Sequence, residues 1–410
     1  MITNKYILFS QIPLLKDSTG AIYCDPFWAK ELRMHLEYIA DLSLCCPVIE
    51  AANESELPAL KKLITYSFGE VEDISQYHIK ALIPLNYCKG WFSTFKNFIP
   101  NFIKVKNVLK PDCIAHSDGA GWPFPLSFYL LPLSFFKTFK WIVVIESTFM
   151  MITKGEKFSF RKFLSHHIHN LLLPLCLNRA DARIFTHDHY KNMFLKSNER
   201  VHVSEYSNLD QEFLINEIDV ENKNEALKNR KLRFIIACRL IADKGVVVLL
   251  DAVKALQKMG VPAQIDIMGS GELEPECRQF IQAQQGAVTM SFVDPVAYGK
   301  DFFKYLSTYD VLLLPNLSEE QPRIIFDAFG QGLTIVASDT DGLKQVCKHE
   351  VNAIVFKRGD AQALANAIEF AVNNTDKVVK FGLAGLAFAK TKTHQQMHRD
   401  REQFLIKVFS

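Results

Sequence analysis

The sequence has 410 residues, enough for two domains of ordinary size. Hydrophobic residues make up 49% and charged residues 22%, which is typical of a globular protein and excludes a largely disordered chain. The formal net charge of +2 gives no electrostatic reason to expect a nucleic-acid partner.

The cysteines and the N-terminus indicate the compartment. Nine cysteines are scattered along the chain without a C-x-x-C pair, and an odd number argues against a disulfide framework. Residues 1–10 lack a signal-peptide pattern, and no apolar run is long enough to span a membrane. We therefore expect a cytoplasmic protein, either free or peripheral at the inner face of the membrane.

The N-terminal half alternates between strand and helix patterns. A strand is predicted over 6–10, a long loop with Gly20 over 11–23, an amphipathic helix over 25–40 and a strand over 42–49. This order is typical of a doubly wound parallel sheet, in which ligands bind at the carboxyl ends of the strands. Gly20 is therefore a candidate for a ligand-facing loop, and a plain turn is the alternative.

Two further strand ends of this half carry polar candidates. Residues 111–123 predict a strand that ends at His116 in a Gly-rich loop, and the strand over 141–145 leads to Glu146. A neutral imidazole in that position can donate a hydrogen bond to a ligand hydroxyl. A structural role in the loop is the alternative for His116, and Asp118 is a weaker candidate.

A basic, His-rich segment follows over 154–169. Its charged and imidazole side chains are Lys154, Lys157, Arg161, Lys162, His166, His167 and His169. A solvated helix face and a surface for an anionic lipid or membrane are both consistent with it. The histidines do not predict a metal site, because no acidic or cysteine partner is near in sequence.

A polar connection over 214–231 precedes a second series of strands and helices. Its strands are predicted over 232–238, 263–268, 287–293, 310–315, 333–338 and 352–356. The first strand leads into a turn with Arg239 and Lys244, two cations that suit an anion and that we expect to be exposed. The second leads to Gly269 and Gly271, which allow a ligand to approach the backbone.

The most informative stretch runs from 316 to 332. It joins the apolar strand before it to a helix predicted to begin at Pro322 and to end at Gly330 or Gly332. Such a helix start suits a phosphate group. Glu319 and Asp327 frame it on the order of 12 Å apart, about the separation of the two sugars of a nucleotide sugar. A capping residue and a solvated helix residue are the alternative for this pair.

This stretch resembles the E-x7-E signature of family 4 glycosyltransferases. Here the signature reads Glu319-x7-Asp327, and Asp-Ala-Phe-Gly-Gln-Gly stands where the family has Glu-Ala-Met-x-x-Gly. The turn over 239–245 resembles the family's Gly-Arg-Leu-x-x-x-Lys-Gly, with Cys238 in place of the first Gly. The sequence also departs from the family where Glu-Gln-Pro over 320–322 replaces the commoner Gly-Phe-Gly.

The resemblance implies the α/β GT-B fold. This fold has an N-terminal Rossmann-like acceptor domain (1–207), a C-terminal Rossmann-like donor domain (208–389) facing a central cleft, and a C-terminal helix (390–410) that packs back on the first domain. It implies a retaining, metal-independent transfer of a sugar from a nucleotide-diphosphate sugar to a hydroxyl of a glycan or lipid-linked acceptor. The implied setting is surface polysaccharide synthesis, without a further cofactor.

The resemblance also implies roles for individual residues. Arg239 and Lys244 stabilise the leaving diphosphate, Glu319 holds hydroxyls of the transferred sugar, and His116 faces the donor sugar. The remaining donor contacts are Gly20, Gly269, Gly271, Val293, Gln321, Pro322, Arg323 and Asp327, the last accepting from the ribose. The Asp339-Thr-Asp341 sequence matches the D-x-D metal motif of the other glycosyltransferase fold, GT-A, but it lies in the turn after a late strand, so we expect no metal.

Three alternatives remain at this level. A hydrolase or epimerase of nucleotide sugars can use the same fold and site. A non-catalytic nucleotide-sugar-binding subunit of a glycan-assembly complex is consistent with the shortened acid Asp327. A membrane-scaffold protein would depend on the basic segment near Arg161. The sequence does not specify the base, the sugar, the acceptor or the oligomeric state.

Overall fold

The computed structural model describes residues 1–65, 70–121, 123–136, 138–148, 150–152, 159–197, 199–227 and 229–409. The chain divides into two compact units. The first unit comprises Met1–Glu205 and Met397–Ser410, and the second comprises Tyr206–Gln396. Within the described ranges, no helix is both long enough and apolar enough to cross a membrane.

The strands form one sheet in each unit. The first unit contains β1 (Ile2–Phe9), β2 (Leu14–Lys16), β3 (Ile22–Cys24), β4 (Ile39–Glu50), β5 (Glu72–Asp73), β6 (Ala81–Leu85), β7 (Ile114–Asp118), β8 (Lys140–Ile145), β9 (Ala182–Phe185) and β10 (Val201–Val203). The second unit contains β11 (Arg233–Ala237), β12 (Ala263–Met268), β13 (Val288–Val293), β14 (Val311–Leu314), β15 (Thr334–Ser338) and β16 (Ala353–Phe356).

The helices alternate with these strands along the chain. They are α1 (Pro26–Tyr38), α2 (Leu57–Ile64), α3 (Trp91–Val108), α4 (Ser127–Leu133), α5 (Phe160–Arg179), α6 (Asp188–Phe194), α7 (Glu217–Leu227), α8 (Val246–Met259), α9 (Glu274–Ala283), α10 (Lys300–Leu306), α11 (Ile324–Gly330), α12 (Asp341–Val346), α13 (Ala361–Asn373), α14 (Thr375–Lys390) and α15 (His394–Phe409).

The sheet of the second unit is parallel throughout, in the order β13-β12-β11-β14-β15-β16. Its central strands are apolar along their length, and all four residues of β14 are buried because helices cover both faces. The order reverses beside β11, whose neighbours are β12 and β14. In a doubly wound sheet, the loops after such neighbouring strands form the ligand-binding edge.

The sheet of the first unit has the order β10-β9-β8-β7-β1-β4-β2-β3-β5, and β6 also pairs with β4. The strands from β10 to β4 are parallel, and α3, α4 and α5 pack on one face of this region. Helices α1 and α15 pack on the opposite face. Each unit is therefore an α/β sheet covered by helices on both faces, as expected from the sequence.

The expected loop over 11–23 contains a hairpin instead. Strands β2 and β3 pair antiparallel, and the turn between them is closed by Asp17, whose carboxylate accepts from the backbone N–H of Thr19 and Ala21 at 2.9 Å. Gly20 lies in this turn with φ of 93°. The loop prediction was wrong because three-residue strands are too short to show a periodicity.

Candidate functional site

The carboxyl ends of β11, β12 and β14 in the second unit bring three loops together. The backbone N–H of Leu240, after β11, donates to Ser270 O, after β12, at 2.8 Å. The N–H of Leu317, after β14, donates to Asp243 O at 2.8 Å. These bonds fix the loops that carry most of the predicted donor-site residues against one another.

Three glycines make this close packing sterically feasible. A Cβ on Gly245, where φ is 70°, would lie 1.8 Å from Pro315 O, and a Cβ on Gly269 would lie 1.9 Å from Cys238 O. Gly271 similarly approaches Leu240 O. The close backbone approach at Gly269 and Gly271 is therefore between neighbouring loops, whereas the sequence predicted an approach by a ligand.

The two predicted diphosphate cations differ in their surroundings. Arg239 is exposed directly after β11, as expected. Lys244 is 9% exposed, so the expectation of an exposed side chain was wrong for this residue. Its Nζ lies 2.9 Å from Oε2 of Glu320, because the packing of the loop over 239–245 against the loop after β14 turns the side chain toward that carboxylate.

Glu319, the first acid of the signature, is held by two groups. The backbone N–H of Asp341 donates to its Oε2 at 2.6 Å, and the Arg358 guanidinium forms an ion pair with its Oε1. The Gln321 side-chain amide donates to Gly342 O at 3.2 Å. The acidic loop is thus tied to the turn after β15 and to the loop after β16. Arg358 was not predicted from the sequence, although a cation just after the predicted strand over 352–356 was a signal for it.

The helix after the acidic loop starts later than predicted. Helix α11 begins at Ile324, and Pro322 lies outside it. The N–H groups of Ile325 and Phe326 donate to the backbone oxygens of Pro322 and Arg323 at 3.2 and 3.0 Å, so a tight turn precedes the helix where the sequence predicted its first residues. The Arg323 guanidinium lies 4.1 Å from the centre of the Tyr206 ring.

Asp327, the second acid, is buried inside α11, so the alternative of a solvated helix residue was wrong. The hydroxyl of Tyr298 donates to its Oδ1 at 2.9 Å. Burial, followed by the nearby Asp327 carboxylate, raises the pKa of Tyr298 well above its usual range, so the phenol stays a donor. Val293 ends β13 and is half-buried.

In the first unit, His116 lies inside β7, because the strand continues to Asp118. Its Nδ1 lies 2.7 Å from the Tyr6 hydroxyl, and burial lowers its pKa well below the usual range, so the ring is neutral. When the Tyr6 hydroxyl donates, the ring proton is on Nε2. The sequence predicted that the strand ends at His116, whereas it runs on to Asp118 because polar residues continue it.

Two carboxylates lie at neighbouring strand ends of the first unit. Asp118 accepts from the Leu126 N–H at 3.2 Å, and burial raises the pKa of Asp118 to about 7. Glu146 is exposed after β8 and lies 3.6 Å from Nη2 of Arg401. Gly20 is placed in the hairpin turn, where, among the described residues, no heavy atom lies within 4 Å of the position that a Cβ would take.

The basic, His-rich segment is only partly described. Lys154 and Lys157 lie outside the described residues, and Arg161 is exposed on α5. His169 is buried, and its Nδ1 lies 2.7 Å from Ser165 O. His166 accepts from the Ile152 N–H at 3.2 Å. The histidines therefore differ in their surroundings, although they are close in sequence.

Comparison with known proteins agrees with this arrangement. Residues 231–374 match the family described as glycosyl transferases group 1. The amylovoran biosynthesis glycosyltransferase AmsK of Erwinia amylovora is 28% identical over 191 residues, which cover 44% of this chain and 46% of AmsK. An Escherichia coli UDP-Gal:alpha-D-GlcNAc-diphosphoundecaprenol alpha-1,3-galactosyltransferase is 25% identical over 156 residues, 38% of this chain and 40% of that enzyme. The chain thus matches less than half the length of these relatives.

Solved structures extend the similarity in fold to the whole chain. HepE of Anabaena in complex with UDP-glucose aligns with a TM-score of 0.62 and 17% identity over 98% of this chain and 99% of HepE. Sucrose-phosphate synthase of Thermosynechococcus elongatus aligns with a TM-score of 0.66 and 14% identity over 100% of this chain and 99% of the synthase. The chain has the GT-B fold, and its residues 231–374 match the group 1 glycosyl transferase family.

Proposed function

We propose that the protein transfers a sugar, with retention of configuration, from a nucleotide-diphosphate sugar to a hydroxyl of a glycan or lipid-linked acceptor. The observation that carries this proposal is the convergence of Arg239, Lys244 and Glu319 at one sheet edge within the matched region. The names of AmsK and of the galactosyltransferase support polysaccharide or lipid-linked glycan assembly as the setting. The complex of HepE with UDP-glucose supports a nucleotide-sugar donor.

The chemistry requires a group that stabilises the leaving diphosphate. Breaking the bond between sugar and phosphate leaves negative charge on the phosphate, and fixed cations lower the energy of that state. Arg239 is exposed to a ligand, and Lys244 is held close by through Glu320. In this proposal the diphosphate displaces Glu320 from Lys244, because the half-exposed carboxylate can move into water.

The transferred sugar needs a binding partner, and the proton of the acceptor hydroxyl needs a group that takes it up. Glu319 accepts from hydroxyls of the transferred sugar, with its orientation set by the Asp341 N–H and by Arg358. The leaving phosphate takes the proton of the acceptor hydroxyl on the same face, so that no enzyme nucleophile is needed for retention. We propose that the reaction requires neither a metal ion nor a further cofactor.

A thermal-shift screen of nucleoside diphosphates and their sugar conjugates, with EDTA present, tests the donor site. A ligand at about 100 times its dissociation constant stabilises the fold by about 2.7 kcal/mol. We expect one nucleotide to stand out, its effect to be lost in Arg239→Ala, and its effect to persist in the control Lys258→Ala, an exposed lysine of α8. A shift that is equal in Arg239→Ala and wild type would refute the diphosphate site.

A second candidate is a nucleotide-sugar-binding subunit without catalysis. The partners of the two acids favour this candidate. Asp327 already accepts a hydrogen bond from Tyr298, and Glu319 is already paired with Arg358. Product analysis with the identified donor separates the candidates. Transfer to an added acceptor supports the transferase, free sugar without an acceptor supports a hydrolase, and binding without either product supports the binding subunit.

A further inference from the structure

The inward side of helix α3 in the first unit combines apolar residues with satisfied polar side chains. Val105 is buried in the core, with Phe98 and Phe102 packed against it, and Thr94 and Asn101 are also buried. Thr94 donates to Gly90 O at 3.0 Å, while Asn101 accepts from the Asn86 N–H at 2.8 Å and donates to Asn86 O at 3.1 Å. Polar groups of the helix are therefore satisfied by the protein, on the side where apolar packing is usual.

The outward side of α3 carries large apolar residues. Phe92, Phe95, Ile99 and Ile103 recur at helical spacing and form one stripe, which we call the α3 stripe. Phe92 is 85% exposed and Ile99 is 68% exposed. Single exposed apolar residues are ordinary on protein surfaces, but a continuous stripe marks an interaction surface.

Helix α5 also carries exposed apolar residues along one side. Phe160, Phe163, Leu164, Leu171 and Leu175 are exposed and share one side of this helix. Helices α3, α4 and α5 pack on the same core cluster, with Phe98 of α3 stacked on Tyr129 of α4 at 4.8 Å. The stripes of α3 and α5 are thus the outer sides of one helical layer.

The charged residues of these helices have one sign. Helices α3, α4 and α5 contain no acidic residue. Exposed Lys96 and Lys106 lie on the same side of α3 as its stripe, and exposed Arg161 lies near the start of α5. Exposed aromatic and aliphatic side chains together with flanking cations are the pattern of a helix that lies in the headgroup region of a bilayer.

We propose that this layer binds the surface of a bilayer containing anionic lipids, with the α3 stripe inserted below the headgroups. Charge complementarity selects this occupant over a second copy of the chain. In a two-fold dimer the same basic surface would face itself, so its like charges would repel each other. The proposal does not rest on the sugar-transfer activity, and it places the membrane contact on α3, outside the 154–169 segment considered from the sequence.

Vesicle co-sedimentation of the full chain tests the proposal. We expect binding to phosphatidylcholine vesicles that contain phosphatidylglycerol, weaker binding to phosphatidylcholine alone, and a loss of binding as salt is raised. Phe92→Ser combined with Phe95→Ser should reduce the affinity at least about tenfold. Lys96→Gln and Lys106→Gln should each reduce it about fivefold.

The controls are exposed residues of the same kinds in the second unit. Ile218→Ser replaces an apolar residue of α7 that is 68% exposed, and Lys258→Gln and Lys380→Gln remove exposed charges. These variants should bind vesicles as the wild type does. All the substituted side chains are exposed, so unchanged melting temperatures can verify that each variant is folded.

A second measurement locates the contact. Tryptophan fluorescence of Phe95→Trp should be quenched by brominated lipid, whereas that of Ile218→Trp should not. Three results would overturn the proposal: no binding to the anionic vesicles at low salt, unchanged binding by the doubly substituted Phe variant, or a wild-type dimer in light scattering that this variant abolishes. The last result would assign the stripe to a second copy.

Discussion

The ammonium group of Lys244 and the carboxylate of Glu320 lie 2.9 Å apart and join the loop after β11 to the loop after β14. Lys244→Ala should lower sugar transfer by about 100-fold or more, because a cation that stabilises the leaving group is lost. Glu320→Gln is the control, since it removes the ion pair and retains the cation, and it should keep most of the activity. Initial rates at saturating donor measure both. Full activity in Lys244→Ala would contradict its role at the diphosphate.

Arg358 is expected to orient Glu319 for the donor sugar. Arg358→Gln should raise the KM for the donor about tenfold, because Glu319 loses a charged hydrogen-bond partner. Both groups are partly exposed, so the melting temperature should change little. Arg278→Gln removes a comparable pair with Glu274 on α9 and should leave KM unchanged. Equal KM values for the two variants would argue against the positioning role.

The hydroxyl of Tyr298 should stabilise the second unit through Asp327. Tyr298→Phe leaves a buried carboxylate without this donor, and we expect the free energy of unfolding to fall by about 1–3 kcal/mol. Tyr23→Phe is the matched control, because its hydroxyl donates to the partly exposed Asp17 at 3.2 Å and should contribute less. Urea denaturation measures both variants. A smaller loss in Tyr298→Phe than in Tyr23→Phe would contradict this account.

The raised pKa of Asp118 predicts a pH dependence of stability. Between the unfolded pKa near 4 and the folded value of about 7, the folded chain keeps a proton that the unfolded chain releases. This contribution to the free energy of unfolding therefore falls as pH rises through that window. Asp118→Asn removes this titrating group. The free energy of unfolding of the variant, relative to that of the wild type, should therefore rise from pH 4 to pH 8.

Asp17 provides a control of opposite sign for this experiment. Hydrogen bonds, first from the Thr19 side chain, lower the pKa of Asp17, so its contribution is present above the unfolded pKa and lost as pH falls through the folded value. Asp17→Asn should thus lose stability relative to wild type as pH rises toward 4, and the difference should stay constant above that pH. Urea denaturation from below pH 4 to pH 8 measures both variants, and a stability of Asp17→Asn relative to wild type that rises with pH below 4 would contradict the assignment.

Gly245 should be required for the packing of the loops after β11 and β14. A Cβ there would lie 1.8 Å from Pro315 O, so Gly245→Ala should destabilise the second unit by more than about 1 kcal/mol. Gly260 has nearly the same φ, 69° against 70°, and within the described part of the chain no heavy atom lies within 4 Å of its Cβ position. Gly260→Ala therefore isolates the backbone strain, and the difference between the two melting temperatures measures the steric contact.

The strands of the second unit were predictable to within about one or two residues, within the usual uncertainty of element boundaries. For example, Val311–Leu314 is wholly apolar and wholly buried, so the pattern leaves little choice. The positions of β2 and β3 were not predictable, because each holds three residues. The end of β7 was predicted too early, at His116, because Ser117 and Asp118 are polar and yet continue a strand between two parallel neighbours.

The sequence predicts the strands and loops that form the site better than it predicts which side chains pair with one another there. Glu319 and Asp327 were selected from the sequence, but their partners Arg358 and Tyr298 are distant along the chain and carry no motif of their own. Such pairs are set by how neighbouring loops of a parallel sheet meet. A sequence pattern specifies which strands exist, whereas the side-chain contacts depend on loop conformations that a pattern does not contain.

The last helix has a consequence for the order in which the chain folds during synthesis. In the first unit Glu31 of α1 is buried and meets His398 at 2.9 Å and Arg401 at 3.2 Å, and Leu405 is buried in the core shared with β1 and β4. A ribosome completes these C-terminal residues only after the whole second unit has been made. The first unit therefore emerges with part of one sheet face uncovered, and we expect nascent chains to depend on chaperones until translation ends.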